Sequence, residues 1–298
     1  MKLEHRENEH KASGTTLQVK EDQTLEALLM HHMQGRSKSS LKKLLQSEMI
    51  SVEGEIVKKL EFPLKAGQKV FVGKKPDFQL PEGLRIIWED AWLMIVLKDS
   101  GLLTIGHRRE NKLTAEEYLN QYMQHKKLGE RIYVVHRIDR DTSGILVFAK
   151  TMKAKDILHT NWHDIVESRR YIAVVEGRPR RPQGCIDTWM DEDPKTLDMF
   201  VCPPGQGRRA ITHYKVLKTN GRHSLIALEL DTGRRNQIRV HMQHIGHPIA
   251  GDPRYHSRTN PCNRLCLHAQ QIKFRHPITH EMMDFSSEIP ADFLKIFR

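Results

Sequence analysis

Five ionisable side chains crowd one short stretch, VVHRIDRDTSGILVFAK (Val134–Lys150): His136, Arg137, Asp139, Arg140 and Asp141. Apolar Tyr133-Val134-Val135 leads in, Thr142-Ser143-Gly144 turns, and Ile145–Phe148 lead out. A solvated turn asks for Asp or Gly, not for two arginines and a histidine as well. A carboxylate at Asp139, on a short connection between two buried strands, is held rigidly, as a nucleophile or base must be. Arg137 and Arg140 beside it would keep it ionised. A salt-bridged hairpin end would use the same residue types, and the stretch taken alone supports both readings.

Two further stretches carry chemistry in apolar surroundings. In ELDTGRRNQIRVH (Glu229–His241) Gly233 suits a tight turn into a helix. Arg234, Arg235 and Arg239 follow, with Arg235 and Arg239 spaced to share one helix face and Ile238, Met242 and Ile245 on the other. Cations are unfavourable at a helix N-terminus, so these arginines point to an opposing carboxylate or phosphate. The plainer reading is a basic surface patch. In SRRYIAVVEG (Ser168–Gly177) Tyr171 opens a strand beside Arg169 and Arg170. A ring next to arginines suits base stacking near phosphates, although a strand tyrosine also serves as ordinary core.

The elements that must position these residues can be read from pattern. The chain of 298 residues is long enough for one large or two modest domains. Residues 1–15 are polar and read as a flexible N-terminus. Residues 16–73 form a small unit. Its first helix, Gln23–Met33, has Leu25, Leu28, Leu29 and His32 at helical spacing. Its second, Arg36–Ile50, has Leu41, Leu44, Leu45 and Ile50 inward and Arg36, Lys38, Lys42 and Lys43 outward. A hairpin follows around Glu53-Gly54. The Pro- and Gly-bearing run 74–83 reads as a linker. Residues 84–298 supply candidate strands LRIIWED, LMIVLKD, RIYVVHR, ILVFAK, YIAVVEG, THYKVLK and SLIALEL. Helices are expected in TAEEYLNQYMQHKK, from Met152 to about Val166, and in RRNQIRVHMQHIG. This is an α+β body with a large, mostly antiparallel sheet.

Composition narrows the partners. A net charge of +11 points to a polyanion, with nucleic acid first, against the plainer alternative of a basic surface. Four scattered cysteines fit a reducing cytoplasm rather than a disulfide framework. Cys262 and Cys266, with His268 nearby, lack a second pair at zinc-ligand spacing, so no metal is expected. The N-terminal MKLEHRENEHK has no apolar signal core, and no apolar run approaches a membrane-spanning length.

The three stretches together resemble the motifs of a known family. HRIDRDTSGILVFAK is similar to the H-R-L-D-x-x-T-S-G motif of the RluA-type RNA pseudouridine synthases. RRYIAVVEG resembles K-x-Y-x-A-x-V-x-G. DTGRRNQIRVHMQHIGHPIAGDPRY resembles T-G-R-x-H-Q-I-R-x-H running into I-G-H-P-I-x-G-D-x-x-Y. IIWEDAWLMIVLKDSGLLT resembles I-x-Y-E-D-x-x-L-x-V-x-N-K-P-x-G-L, and LCLHAQQIKFRHPIT the L-H-A segment. The five matches run in order from about Arg85 to Pro277, and residues 16–73 resemble an S4-type RNA-binding domain. Ile138 stands for Leu, Asn236 for His, and Lys98-Asp99 for Lys-Pro.

The resemblance implies the pseudouridine synthase catalytic fold, a large mixed, mostly antiparallel sheet, preceded by a small α/β S4-like domain. It implies Asp139 as the catalytic aspartate, Tyr171 stacked on the target base, and Arg239 paired with Asp139. RNA contacts are expected from His136, Arg137, Arg140, Arg234 and Arg235 in the body, and from Arg36, Lys38 and Lys42 in the N-terminal unit. No metal and no organic cofactor are implied. The reaction breaks the N1–C1′ bond of a flipped-out uridine and joins C1′ to C5 of the same base. Large-subunit rRNA is the expected substrate, with tRNA the other possibility, for a cytoplasmic monomer. The competing class is a non-catalytic RNA-binding or ribosome-assembly protein on the same scaffold.

Overall fold

The structure, a computed structural model, describes residues 14–73, 79–106, 114–126 and 131–298. They fall into two compact units that divide between Gln79 and Leu80. Of the expected flexible tail, only Gly14 and Thr15 are described, and they already belong to a strand; residues 74–78 of the expected linker lie outside the described residues.

The N-terminal unit runs Gly14–Gln18 (β1), Gln23–Thr24 (β2), Leu25–His32 (α1), Lys38–Gln46 (α2), Ile50–Val52 (β3), Glu55–Ile56 (β4), Pro63–Leu64 (β5) and Lys69–Gly73 (β6). Its main sheet has the order β1-β6-β3-β4. Both helices begin where a hydroxyl can cap them. Thr24 accepts from the Ala27 amide and Ser37 from the Ser40 amide, each at 3.3 Å. That cap is why α2 starts at Lys38 and not at Arg36. Leu25, Leu28, Leu29, Leu41 and Leu45 are buried against Ile50, Val70 and Val72. His32 is exposed and bonds back to the Leu28 carbonyl rather than joining that face. Val52 pairs with Glu55, so Glu53 and Gly54 form a two-residue turn. Their φ values of 48° and 87° are both left-handed, as a type I′ hairpin requires.

The second unit opens with Leu84–Glu89 (β7), Leu93–Lys98 (β8), Ala115–Lys126 (α3), Tyr133–Val134 (β9) and Ser143–Ala149 (β10). Met152–Thr160 (α4), Trp162–Ile165 (α5), Val166–Glu176 (β11), Gln183–Glu192 (β12) and Met199–Cys202 (β13) follow. Arg208–Thr219 (β14), His223–Leu230 (β15), Gln237–His244 (α6), Leu267–Arg275 (β16), Met282–Ser286 (β17) and Ala291–Lys295 (α7) complete it. Eleven strands make one sheet with the path β13-β12-β14-β15-β11-β16-β10-β8-β7; β17 pairs with β16, and β9 with β10. Every pairing is antiparallel except β10 with β16. The fold is therefore α+β with a large mixed sheet.

β8 and β10 read as unbroken apolar runs because both of their faces are covered. Met94, Val96, Leu146 and Phe148 pack with Leu119 and Met123 of α3. Leu93, Ile95, Ile145 and Val147 pack on the other side with Ala154 and Leu158 of α4. Each such side chain contributes about 1.5–3 kcal/mol by burial. The helix expected over 152–166 is interrupted at Asn161, whose side-chain amide donates to the Ile157 carbonyl and closes α4. Strands β12, β13, β16 and β17 were not among the expected ones. Their sequences, such as QGCIDTWMDE and LHAQQIKFR, interleave polar groups that only tertiary partners satisfy. Among the described residues no helix is long and apolar enough to cross a membrane.

Candidate active site

The sheet order brings the first and third chemical stretches to the two flanks of one strand, β16. Ala269 on β16 is the register partner of Gly144 on one side and of Tyr171 on the other. Two strand spacings, roughly 10 Å, thus separate the start of β10 from Tyr171. The β11–β16 register shifts between Arg170 and Tyr171, a bulge beside that ring. Tyr171 lies midway along β11 rather than at its start, and packs against the cores on both sides of it. Burial raises its pKa, so its phenol stays neutral. β15 runs beside β11, with Leu228 opposite Tyr171, and delivers the chain into α6.

A pocket opens where these elements converge. Arg137, Asp139, Thr142, Tyr171, Arg234 and Arg239 are among the residues that line it. Arg239, on α6, gives Nη1 to Asp139 Oδ2 at 3.3 Å across 100 residues of sequence. Its Nε and Nη2 bond both oxygens of Asp252, at 2.7 and 2.8 Å. Asp252 is fully buried, and the Arg239 guanidinium lies over the Tyr255 ring at 4.9 Å. Asn236 completes the cradle: its Oδ1 accepts from Arg239 Nη1 at 3.2 Å and its Nδ2 donates to the Tyr255 hydroxyl at 2.9 Å. Burial works against the Arg239 charge, but the Asp252 bonds and charge, with that of Asp139, outweigh it and raise its pKa further.

The loop carrying Asp139 is fastened through its backbone. Buried Lys98 spends its ammonium protons on the carbonyls of Asp99, Leu102 and Arg140, at 2.8–2.9 Å. Burial pulls its pKa down to about 7, against the charges of Asp141 and Asp139. Thr104 donates to the Ile138 carbonyl, Ser100 to that of Asp141, and the Thr142 amide to that of Asp139. Gly144 has φ 125°, and a Cβ there would lie 2.2 Å from the Ala269 carbonyl oxygen. Only glycine lets the loop enter the parallel β10–β16 pair this closely. Asp99, in the place of proline, ties its turn: its amide donates to the Gly83 carbonyl at 2.7 Å, a bond proline could not make.

The structure corrects several expectations. Gly233 does not have a positive φ, and the Arg169 guanidinium passes close to where a Cβ would stand. The left-handed residue is Asn236, at φ 53°. Helix α6 therefore begins at Gln237, and Arg235 and Arg239 do not share a helix face. Arg235 points away, to Glu192 and the Leu197 carbonyl, which Arg254 also holds. Arg140 forms a two-bonded pair with its neighbour Asp141. His136 is turned inward: Nε2 accepts from the Val147 amide at 3.0 Å and the ring packs on Trp162. Burial pushes its pKa to about 3, with Arg169 adding to the effect, so the ring stays neutral. Arg169 is half-buried and bonds the Leu230 carbonyl, while exposed Arg170 pairs with Glu229 at the surface.

Arg137 is exposed at the pocket, and Arg234 lines it while bonding the Arg209 carbonyl. In the other unit Arg36 and Lys42 are exposed, and Lys38 pairs with Glu26 at 2.8 Å. Cys262 and Cys266 have free thiols, and His268 spends both nitrogens on Ser143 and Ser287. Among the described residues no cluster has the donors for a metal ion. Sequence reasoning passed over Asp252, Tyr255 and the loop-fastening role of Lys98. The signals were present as G-D-x-x-Y after the third motif and a lysine ending an apolar strand.

Comparison with known proteins places the chain in a family. Residues 92–244 match the family model described as RNA pseudouridylate synthase. An uncharacterized RNA pseudouridine synthase of Bacillus subtilis is 33% identical over 84% of this chain and 89% of its own length. A ribosomal large subunit pseudouridine synthase D of Zymomonas mobilis is 34% identical, over 88% of this chain and 89% of its own. The structure of human RNA pseudouridylate synthase domain containing 1 superposes with a TM-score of 0.57, covering 73% of this chain and 87% of that one at 23% identity; that likeness concerns the fold. With the family model spanning half of the chain and relatives above 30% identity spanning most of it, the chain belongs to the RNA pseudouridylate synthases, enzymes that isomerise uridine in RNA.

Proposed function

We propose that this enzyme converts uridines of large-subunit rRNA to pseudouridine, with Asp139 acting on a flipped-out nucleoside as nucleophile or base. The observation that carries the assignment is the Arg239 guanidinium, anchored on buried Asp252 and presenting Nη1 to Asp139 in a pocket shared with Tyr171. A carboxylate beside an anchored cation stays ionised and aimed without moving during the reaction. Tyr171 offers a neutral aromatic face on which the detached uracil can rest while it turns. Arg137 and Arg234 at the pocket meet the flanking phosphates. A protein that only bound RNA would gain nothing from a carboxylate at the centre of its basic site, since it repels phosphate.

The rRNA assignment draws on the relatives named as large-subunit enzymes and on the N-terminal unit, whose exposed Arg36, Lys42 and Lys43 suit a phosphate backbone. We read that unit as S4-like and RNA-binding. The free thiols of all four cysteines fit a cytoplasmic location, and a monomer suffices because the site is built within one chain. Mapping pseudouridine in rRNA and tRNA, with and without the gene, tests the reading. Loss of one or a few large-subunit sites is expected; loss confined to tRNA would overturn the rRNA assignment.

A further inference from the structure

Thr142 is 2% exposed and lines the pocket, yet among the described residues its hydroxyl has no hydrogen-bond partner. Buried polar atoms are otherwise satisfied throughout the site. Asn236, Gln237, Asp252, Tyr255 and Lys98 are all engaged. Leaving a buried hydroxyl unpaired is unfavourable, and valine would fill the same space without that penalty. The Thr142 amide bonds the Asp139 carbonyl, closing a tight turn that puts the two side chains on one short loop. Thr142 and Asp139 thus share one short loop, and both line the same pocket.

We propose that Thr142 Oγ1 is a substrate contact, donating a hydrogen bond to a carbonyl oxygen of the target uracil. This rests on the site assignment above. The chemistry of the isomerisation favours such a donor. Turning uracil by half a turn about its N3–C6 axis exchanges N1 with C5 and O2 with O4. A fixed donor that meets one carbonyl before the turn meets the other afterwards, and holds the free base in both orientations. A hydroxyl suits this role because it rotates to follow its acceptor and carries no charge that would compete with Arg239 for Asp139.

The test compares Thr142→Val, Thr142→Ser and Asp139→Asn in the full-length protein. The substrate is the RNA fragment that the parent enzyme modifies, prepared as an unmodified transcript. Thr142→Val should keep or raise the melting temperature and leave KM near the parent value, while kcat falls about 10- to 100-fold. Thr142→Ser should retain most of kcat. Parent-level kcat in a folded Thr142→Val overturns the proposal. So does a Thr142→Val protein that melts well below the parent, because the hydroxyl would then be structural. Asp139→Asn separates the two claims. If it is inactive while Thr142→Val is fully active, only the threonine contact fails. If Asp139→Asn is active, the site assignment fails with it.

Discussion

Asp252 takes two nitrogens of Arg239 and leaves a third for Asp139. The shorter bonds, 2.7 and 2.8 Å, lie on the buried side, and the 3.3 Å bond faces the pocket. The guanidinium is thus oriented by the fold and only lent to Asp139, the carboxylate proposed as catalytic. Removing Asp252 should strand a buried cation as well as misplace it. Asp252→Ala is expected to lose about 3–5 kcal/mol in urea unfolding, the usual consequence of breaking a buried ion pair from one side. Asp252→Asn, which keeps the shape, should fold better yet still lower kcat. Unchanged turnover in that variant would mean that Arg239 needs no anchor.

Asp139→Asn preserves volume and removes the charge. Isomerisation should fall by at least about 1,000-fold, the scale for loss of a nucleophile or base. RNA affinity should hold or improve slightly, because a carboxylate is no phosphate ligand. Binding by filter retention and turnover by pseudouridine mapping report the two effects separately. Near-normal turnover would remove Asp139 from the mechanism.

Gly144→Ala forces a Cβ against the Ala269 backbone at a φ of 125°. Neither strand can yield without opening the one parallel pair of the sheet. A destabilisation of more than about 3 kcal/mol is expected, read by chemical denaturation, in line with severe backbone and overpacking strain. A variant as stable as the parent would show that β10 and β16 can part here.

Besides His136, whose pKa burial pushes to about 3, two further buried histidines should make the fold acid-sensitive. Burial lowers His241 to about 4, with His244 adding to it, and lowers His268 to about 4, with Arg264 adding to it. His241 is held between Thr188 and Thr212, and His268 between Ser143 and Ser287. Their unfolded values are near 6.5, so between about 4 and 6.5 the unfolded chain binds protons that the folded chain does not. Stability therefore rises with pH across that window. The contribution is fully present above about 6.5 and is lost as pH falls toward about 4. At pH 5 each histidine should subtract about 2 kcal/mol relative to pH 7. Urea midpoints at pH 7 and pH 5 measure the fall, and His241→Gln should make it shallower. An equal fall in that variant would assign the acid sensitivity to other groups.

Deleting residues 1–73 removes the exposed cations of the N-terminal unit while the body Leu80–Arg298 keeps its own cores. Affinity for structured rRNA should drop by about tenfold or more, with a shallower dependence on salt. Turnover on a short fragment should change less. Equal affinity for the full RNA before and after deletion would sink the RNA-binding role of that unit.

Local chemistry in the sequence determined a good part of this protein. The apolar runs of β8 and β10 and the Glu53-Gly54 turn are legible within windows of a dozen residues, whereas Asp139, Tyr171 and Arg239 are singled out there with two readings open and receive roles only from the family resemblance. There, side-chain period and turn preference act alone. The tertiary structure decided how those residues are used. Arg239 meets Asp139 across 100 residues because β10, β16, β11 and β15 lie in that order, which no local pattern encodes. The same order turns His136 inward, makes Asn236 and not Gly233 the left-handed residue, and leaves Thr142 Oγ1 unpaired at the pocket. Charge type can be read from a motif. Whether a charge faces substrate, a neighbour or the core depends on which distant backbone passes beside it, and that is a property of packing.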